Sequence, residues 1–496
     1  MSFLITIGSP ALAAYSLQIT HLNSRWITKA FLDVDYPNSK HIAAVLSAFH
    51  HIPIRVSYHP PFLHSLVVLH KNDSFWCRLF AAAKKTRRWS IPLCMNFVLV
   101  IFAAILTVLD SIYSPRPGDI GYAIAAIWTF LLPLIIGWLR VGCEPEPNHL
   151  RDSLTVANKK AWVATARRDT PAKSNLAIEF MKAEDVDPAR KDELKTVPVF
   201  NYSRAFVSPL IAELILGMTK YAAANARREI PVGNLTGRRP LVWAKNKGGT
   251  VSDENRIGTD SEVAEYCTKV LPPLEPGSGS ISPLDSRTSE KTSATNPLLP
   301  LHDPHLLTPN HSRWATGIWK RVTVSTILAL GLQWGTVGAA VLIHYMAPPA
   351  GLGCRAFSFL LYGVAGTTSF FFFLASSILA HVSRPHQGQK REDDRSWLRG
   401  CQEAGSIVCR WFGKSIAILS AMGILLACFF QITGAFDTCF CNSTTFDKGR
   451  GPVVFLTINY VITPAVFRVW IGGLVMAVSI AVLFGFSIYL SRPPRR

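Results

Sequence analysis

Acidic side chains are scarce in this chain: 32 Asp and Glu stand against 51 Lys and Arg, a formal charge of +19 at neutral pH. Charge of either sign is also missing from long stretches, since charged residues make up only 17% of the sequence against 49% hydrophobic ones. The mean hydropathy is +0.24. The apolar residues fall in blocks and the charges in the gaps between them, which is the pattern of a membrane protein rather than of soluble domains. A nucleic-acid binder keeps its Lys and Arg on one folded polar face. Here they flank apolar runs, where they set orientation and meet lipid headgroups. The expected partner is therefore the lipid bilayer, and no nucleic acid.

Ten cysteines spread over 496 residues give neither a disulfide framework nor zinc-ligand spacing. No phosphate-binding loop, nucleophile elbow or metalloprotease helix motif occurs. The chain is accordingly not read as an enzyme, and no cofactor or metal is expected. Seven of the fourteen histidines lie between His21 and His70. His50, His51, His59 and His64 have no Cys or paired carboxylate beside them at ligand spacing, so they make a poor metal set.

What is present is a series of apolar blocks. A helix needs about 20 apolar residues to cross the hydrocarbon core. Five segments meet that length, at 91–109, 120–139, 322–346, 356–382 and 470–490. A sixth, 415–436, has Gln431 as its one strongly polar member. The first block, 2–20, counts as a seventh span although Gly8, Pro10 and Gln18 interrupt it. Its rival reading is a cleaved signal peptide ending near Ala11-Leu12-Ala13. No basic residue precedes the block, and cleavage would place a strongly basic stretch outside. Two shorter stretches are not counted. Residues 209–218, after an N-cap at Ser208, suit a docked or interfacial helix. Residues 453–467 suit an outer loop lying against the membrane.

The expected fold class is thus all-α, a polytopic transmembrane helix bundle of six to seven spans with a partly disordered cytoplasmic loop. The regions are an N-terminal membrane part (1–140), a cytoplasmic helical segment (141–245), a disordered linker (246–319) and a C-terminal membrane part (320–496). Within the segment a helix is expected over 150–168. The linker is rich in Ser, Thr, Pro and Gly and cannot bury enough apolar surface to offset chain entropy. Ser282, Ser286 and Thr308 in it are candidate phosphate acceptors, as exposed linker residues commonly are.

Orientation follows from the basic residues. Of the 51 Lys and Arg, 46 fall on the side of 21–90, 140–321, 383–414 and the C-terminal tail. Only Arg116, Arg355, Lys448, Arg450 and Arg468 fall on the other. The positive-inside rule then places the N-terminus outside or lumenal and the C-terminus in the cytoplasm. No address signal names the organelle, plasma membrane or endomembrane. Seven spans match the count of G-protein-coupled receptors and nothing more. The third span ends in Trp138-Leu139-Arg140-Val141, and the last lacks Asn-Pro-x-x-Tyr.

A few positions suggest chemistry. Cys354, Cys439 and Cys441 lie on the proposed outer side, where one disulfide is expected in place of free or lipidated thiols. Asn442 opens the one glycosylation sequon on that side. Gly331, Gly335 and Gly338 form a small-residue pattern that favours close helix packing within the chain over a dimer face. Gln333 and Gln431 are candidates for hydrogen bonds between helices. His344 and His381 lie near opposite ends of neighbouring spans and cannot share a ligand. No acidic or basic residue sits at midspan, which counts against an ion-coupled transporter.

Several stretches resemble a large family of uncharacterised multi-pass membrane proteins of filamentous fungi. They are Ser65-Leu66-Val67-Val68-Leu69 with Asn72-Asp73 and Trp76, Thr86-Arg87-Arg88-Trp89-Ser90, residues 133–138, Gly351-Leu352-Gly353-Cys354-Arg355, and Cys439-Phe440-Cys441-Asn442-Ser443. The Gly-Leu-Gly-Cys-Arg element is the most specific, although Ala356 follows it where members usually carry Ser. The resemblance implies the same topology, a structural bridge between the outer cysteines, and additional N-terminal sequence in many members. It implies no activity. The function expected from the whole is a membrane scaffold or sensor with cytoplasmic protein partners bound through 141–319. A solute transporter or channel is the alternative, and the oligomeric state is open.

Overall fold

A computed structural model describes residues 1–56, 60–83, 119–141, 147–167, 171–174, 178–181, 186–233, 241–272, 313–346, 351–384, 396–436 and 464–490, with shorter pieces between 98 and 109 and at 438 and 441. Helices dominate them. Pro10 decides how the chain begins. A proline disfavours helical backbone at the residue before it and has no N–H to continue a helix, and Ser9 takes φ −139° and ψ 78°. The expected span over 2–20 is therefore two helices, α1 (Ser2–Gly8) and α2 (Pro10–Leu32), bent by 102°. Every residue of α2 from Pro10 to Thr20 is buried, as suits a helix apolar on all faces. Further along, Ile27 and Phe31 enter a different core.

That second core belongs to a folded domain assembled from two separated parts of the chain. The first part holds α3 (Ser39–Ala48), β1 (Ile54–Val56), α4 (Pro60–Val68) and α5 (Asp73–Ala83). Two apolar helices follow, α6 (Asp119–Trp128) and α7 (Leu131–Val141), which together are long and apolar enough to cross a membrane. The turn between them has a cause in Pro133, whose ring crowds the carbonyl four residues back and offers it no N–H. The second part of the domain holds α8 (Pro147–Asn158), β2 (Ala161–Val163), β3 (Ala172–Ser174), β4 (Ile178–Phe180), α9 (Val207–Arg227) and α10 (Asp260–Thr268). Two antiparallel ribbons pair β1 with β4 and β2 with β3. Leu46, Phe75 and Trp76 from the first part share one core with Leu150, Ile215 and Tyr266 from the second. Arg256 fastens the parts, giving two nitrogens to Asp73 at 2.8 and 2.6 Å and its Nε to the Val68 carbonyl at 2.9 Å.

Three expectations change here. The helix expected over 150–168 stops at Asn158, whose side chain bonds the Ile178 backbone and opens the turn into β2. The linker expected from 246 is folded through 272. Thr259 and Glu262 form a reciprocal capping box that starts α10, and Val263, Tyr266 and Cys267 bury against the domain. The remainder, 273–312, with Ser282, Ser286 and Thr308, lies outside the described residues. The docked helix at 209–218 is part of α9, preceded by Phe206 rather than capped by Ser208.

Four long helices complete the bundle: α11 (Ile318–Met346), α12 (Cys354–Val382), α13 (Ser396–Ile432) and α14 (Pro464–Leu490). α14 begins earlier than expected because proline suits a first helical position, where no N–H is needed. Residues 464–467 therefore belong to it and not to an outer loop. α13 extends far beyond 415–436 at its start. Among the described residues five helices are long and apolar enough to cross a membrane, and seven if each bent pair is one span. This is compatible with a multi-pass membrane protein. The expected span at 91–109 lies largely outside the described residues.

Of the three spaced glycines, only Gly335 is a point of close approach, where a Cβ would lie 2.3 Å from Ile480 of α14. A Cβ on Gly331 would meet nothing within 4 Å. Gly335→Leu should therefore destabilise the bundle by about 1–3 kcal/mol through overpacking, while Gly331→Leu leaves the melting midpoint unchanged. Thermal unfolding in detergent distinguishes them, and equal effects would remove this packing account.

Candidate functional site

The break between α1 and α2 lies inside the bundle, so the backbone groups it frees need protein partners there. Gln333 of α11 supplies them. Its Oε1 accepts the Ala11 N–H at 3.0 Å, and its Nε2 donates to the Gly363 carbonyl at 2.9 Å and to Thr367 Oγ1 at 2.8 Å on α12. Ser9 Oγ donates to the Gly366 carbonyl at 3.0 Å, and the Tyr362 hydroxyl donates to the Ile7 carbonyl at 2.5 Å. Gly8 is pressed so close to α13 that a Cβ would overlap the Ala417 carbonyl. Gln333 thus caps α2 from a neighbouring helix, a more specific task than a bond between two spans.

Two and a half turns beyond Ala11 on α2, a second polar cluster joins bundle to domain. Thr20 Oγ1 donates to the Ser16 carbonyl at 2.7 Å, so it accepts from Asn201 Nδ2 at 3.2 Å and from His50 Nδ1 at 3.3 Å. Asn23 Oδ1 accepts from Arg321 Nε at 2.8 Å, which turns its Nδ2 toward the Ala205 carbonyl at 3.1 Å and His50 Nε2 at 3.3 Å. These assignments follow from the network. They hold His50 as a neutral imidazole with its proton on Nδ1. Burial pushes the His50 pKa well below its ordinary 6.5, and the neighbouring His51 and Arg204 add to the effect. Arg204 donates to four carbonyls, of His50, His51, Glu193 and Lys195, and to Asn201 Oδ1 at 2.6 Å.

The short 3-10 helix Pro188–Leu194 carries the acidic half of this seam. Asp192, whose side chain is 2% exposed, accepts from Lys414 Nζ at 2.6 Å and from the Tyr202 hydroxyl at 2.5 Å, with Arg410 Nε at 3.8 Å. Glu193 receives Arg384 on both oxygens at 2.6 Å. Arg410 also donates to the Pro188 carbonyl at 2.5 Å. This one turn, on the segment between β4 and α9, therefore holds the end of α12 and the middle of α13. A shallow hollow beside it is lined by Phe49, Ile52, Ile54, Val207, Ile211 and Arg204.

The remaining candidate positions lie elsewhere. Cys354 is disulfide-bonded to Cys441, with 5.4 Å between the Cα atoms. Cys439 and Asn442 fall outside the described residues. His344 stacks on Phe359 at 5.1 Å, and His381 lies 4.8 Å from Trp314 at the other end of the bundle. Gln431 is buried, and its amide meets no hydrogen-bond partner among the described residues. His50 and His51 serve the seam, His64 is in the domain interior with a pKa pushed by burial to about 4, and His59 is outside the described residues. Among the described residues no three His, Cys, Asp or Glu are grouped to hold a metal ion. Sequence reasoning missed Asp192, Arg204, Arg410 and Lys414. The available signal was the pair Arg410 and Lys414, four residues apart just before the apolar block that begins at 415. Comparison with family models, with curated proteins and with solved structures gives no match.

Two outcomes test the seam. Removing one partner of a buried ion pair leaves the other charge uncompensated, at a cost of about 3–5 kcal/mol. Asp192→Leu should carry that loss, and adding Lys414→Met should restore part of it; strictly additive effects in the double-mutant cycle would show that the pair is not coupled. The second concerns acid. Between the ordinary imidazole value of 6.5 and the lowered folded value, the unfolded chain binds more protons than the folded one. The stability from neutral His50 is thus complete above 6.5 and declines as the pH falls below it. His50→Gln should flatten this acid dependence of the melting midpoint, and an unchanged slope would contradict the assignment.

Proposed function

We propose that this chain is a multi-pass membrane scaffold or sensor whose folded domain faces the cytoplasm and meets protein partners there. The observation that carries the reading is mechanical. α2 runs without interruption from the capped break inside the bundle to the domain core, and the Asp192 and Glu193 pairs fasten the segment between β4 and α9 to the end of α12 and to α13. A displacement of the membrane helices cannot leave the domain unmoved. The basic bias of the domain side supports a cytoplasmic placement, and the disulfide at the far end suits an oxidising compartment.

A solute transporter or channel is the second reading, and one observation favours it. Half-helix ends meeting inside a bundle are a recurrent way of building solute sites, and α1 and α2 form such a break. A thermal-shift panel on the detergent-purified protein separates the readings, because a ligand that binds only the folded state stabilises it by about 2.7 kcal/mol at roughly 100 Kd. The scaffold reading expects shifts with lipids alone or with no small solute. A saturable shift with one class of ions, nucleotides or metabolites would replace it with the transporter.

A further inference from the structure

Two lysines from separate parts of the domain converge on one ring. Lys71 Nζ lies 4.7 Å from the centre of the Trp162 ring, and Lys173 Nζ lies 5.6 Å from it. Trp162 of β2 and Lys173 of β3 are paired across their ribbon. Lys71 is brought there by its neighbour Asn72, which is fully buried. The Asn72 Oδ1 accepts the Trp162 N–H at 2.8 Å, and its Nδ2 donates to the Trp162 carbonyl at 3.0 Å and to the Ser65 carbonyl at 2.7 Å. Lys159 and Lys160 stand just before β2, and Arg167 follows it. All five cations are exposed, and among the described residues none of them makes an ion pair. The exposed Lys245 and Lys269, by contrast, have Glu229 and Glu265. Asp73, two residues from Lys71, is occupied by Arg256 and by Asn38 Nδ2 at 2.6 Å. A half-buried tryptophan beside uncompensated ammonium groups fits an anionic partner.

The position of the patch argues against the bilayer as that partner. α2 leaves the bundle, and α3 packs back along it to the seam, where His50 follows its end. The turn between them is therefore the end of the domain away from the bundle, about 15 Å beyond the seam by the length of α3. Asn38 in that turn bonds Asp73, so the start of α5 and Lys71 beside it lie at the same end. Attraction between exposed charges and a lipid surface falls off within a Debye length of about 8 Å. We propose that the Trp162 patch is a docking surface for an acidic segment of a cytoplasmic protein. Carboxylates of that segment pair with the ammonium groups of Lys71, Lys159, Lys160 and Lys173, and its apolar atoms rest on the ring. Tryptophan is a frequent anchor of protein interfaces. Lysine offers a point charge on a flexible stem and not the fixed fork of arginine, which suits a run of Asp and Glu. This inference rests on the scaffold reading and deepens it by naming the partner's chemistry and the place it binds.

The test uses the full-length protein in phosphatidylcholine nanodiscs and a fluorescein-labelled oligoglutamate peptide, with binding read by anisotropy. The expected result is saturable binding that weakens as salt is raised, and none with an oligoglutamine peptide. K71Q/K159Q/K160Q/K173Q should bind about tenfold more weakly with an unchanged melting midpoint. K220Q/K245Q/K247Q/K269Q removes the same charge from other exposed positions and should keep the original affinity. Equal weakening in both variants would show attraction to net charge alone and overturn the patch. Tighter binding of an oligouridylate of equal charge would overturn it in favour of nucleic acid. Abolition of peptide binding when phosphatidylserine enters the disc would give the surface to the membrane. No binding to the unmodified protein would overturn the patch and leave the scaffold reading standing. A saturable small-solute shift in the thermal panel, with peptide binding intact, would remove that reading and not the patch.

Discussion

A peptide group taken out of water has to find a partner, and the rest of this structure depends on how the chain meets that demand at one place. Pro10 breaks the first helix within the bundle, where water is not at hand to bond the freed groups. Gln333, Ser9 and Tyr362 meet the demand, and to do so they fix the depth of α1 and the positions of α11 and α12 around it. Gly8 lets α13 close on the same point. With the start of α2 held so firmly, the direction of its far end is set as well. That end is the beginning of the domain.

The seam at the domain end follows a different physics. Its members are charged or strongly polar, and they are buried where each would be costly alone. Arg204 satisfies carbonyls from two segments, while Asp192 and Glu193 collect cations from the end of α12 and from α13. Such a seam stabilises little relative to an apolar contact of the same size, but it tolerates few alternative registers. Specific placement of the domain on the bundle is its main consequence.

The long apolar blocks were legible in the sequence because hydrocarbon thickness imposes a length that few other structures need. Pro10 was visible too, yet composition alone does not tell a bent pair from a crossing, since both are apolar and similar in length. The Thr259–Glu262 box was a local signal outweighed by the polar composition around it. The partners of Asp192 were not legible at all. Lys414 lies 222 positions away in the chain, and no local pattern records a pairing made by tertiary packing. Gln333 is recognisable as polar, but the Ala11 N–H it caps is free only because of the break at Ser9 and Pro10.

The domain is assembled from residues that precede α6 in the chain and residues that follow α7. Leu46, Phe75 and Trp76 are synthesised first and have no core to enter until Leu150, Ile215 and Tyr266 emerge. Between these events come the apolar helices α6 and α7, and Trp76 and its neighbours wait uncovered while they are made. Completion of the domain therefore depends on residues synthesised well after its first helices.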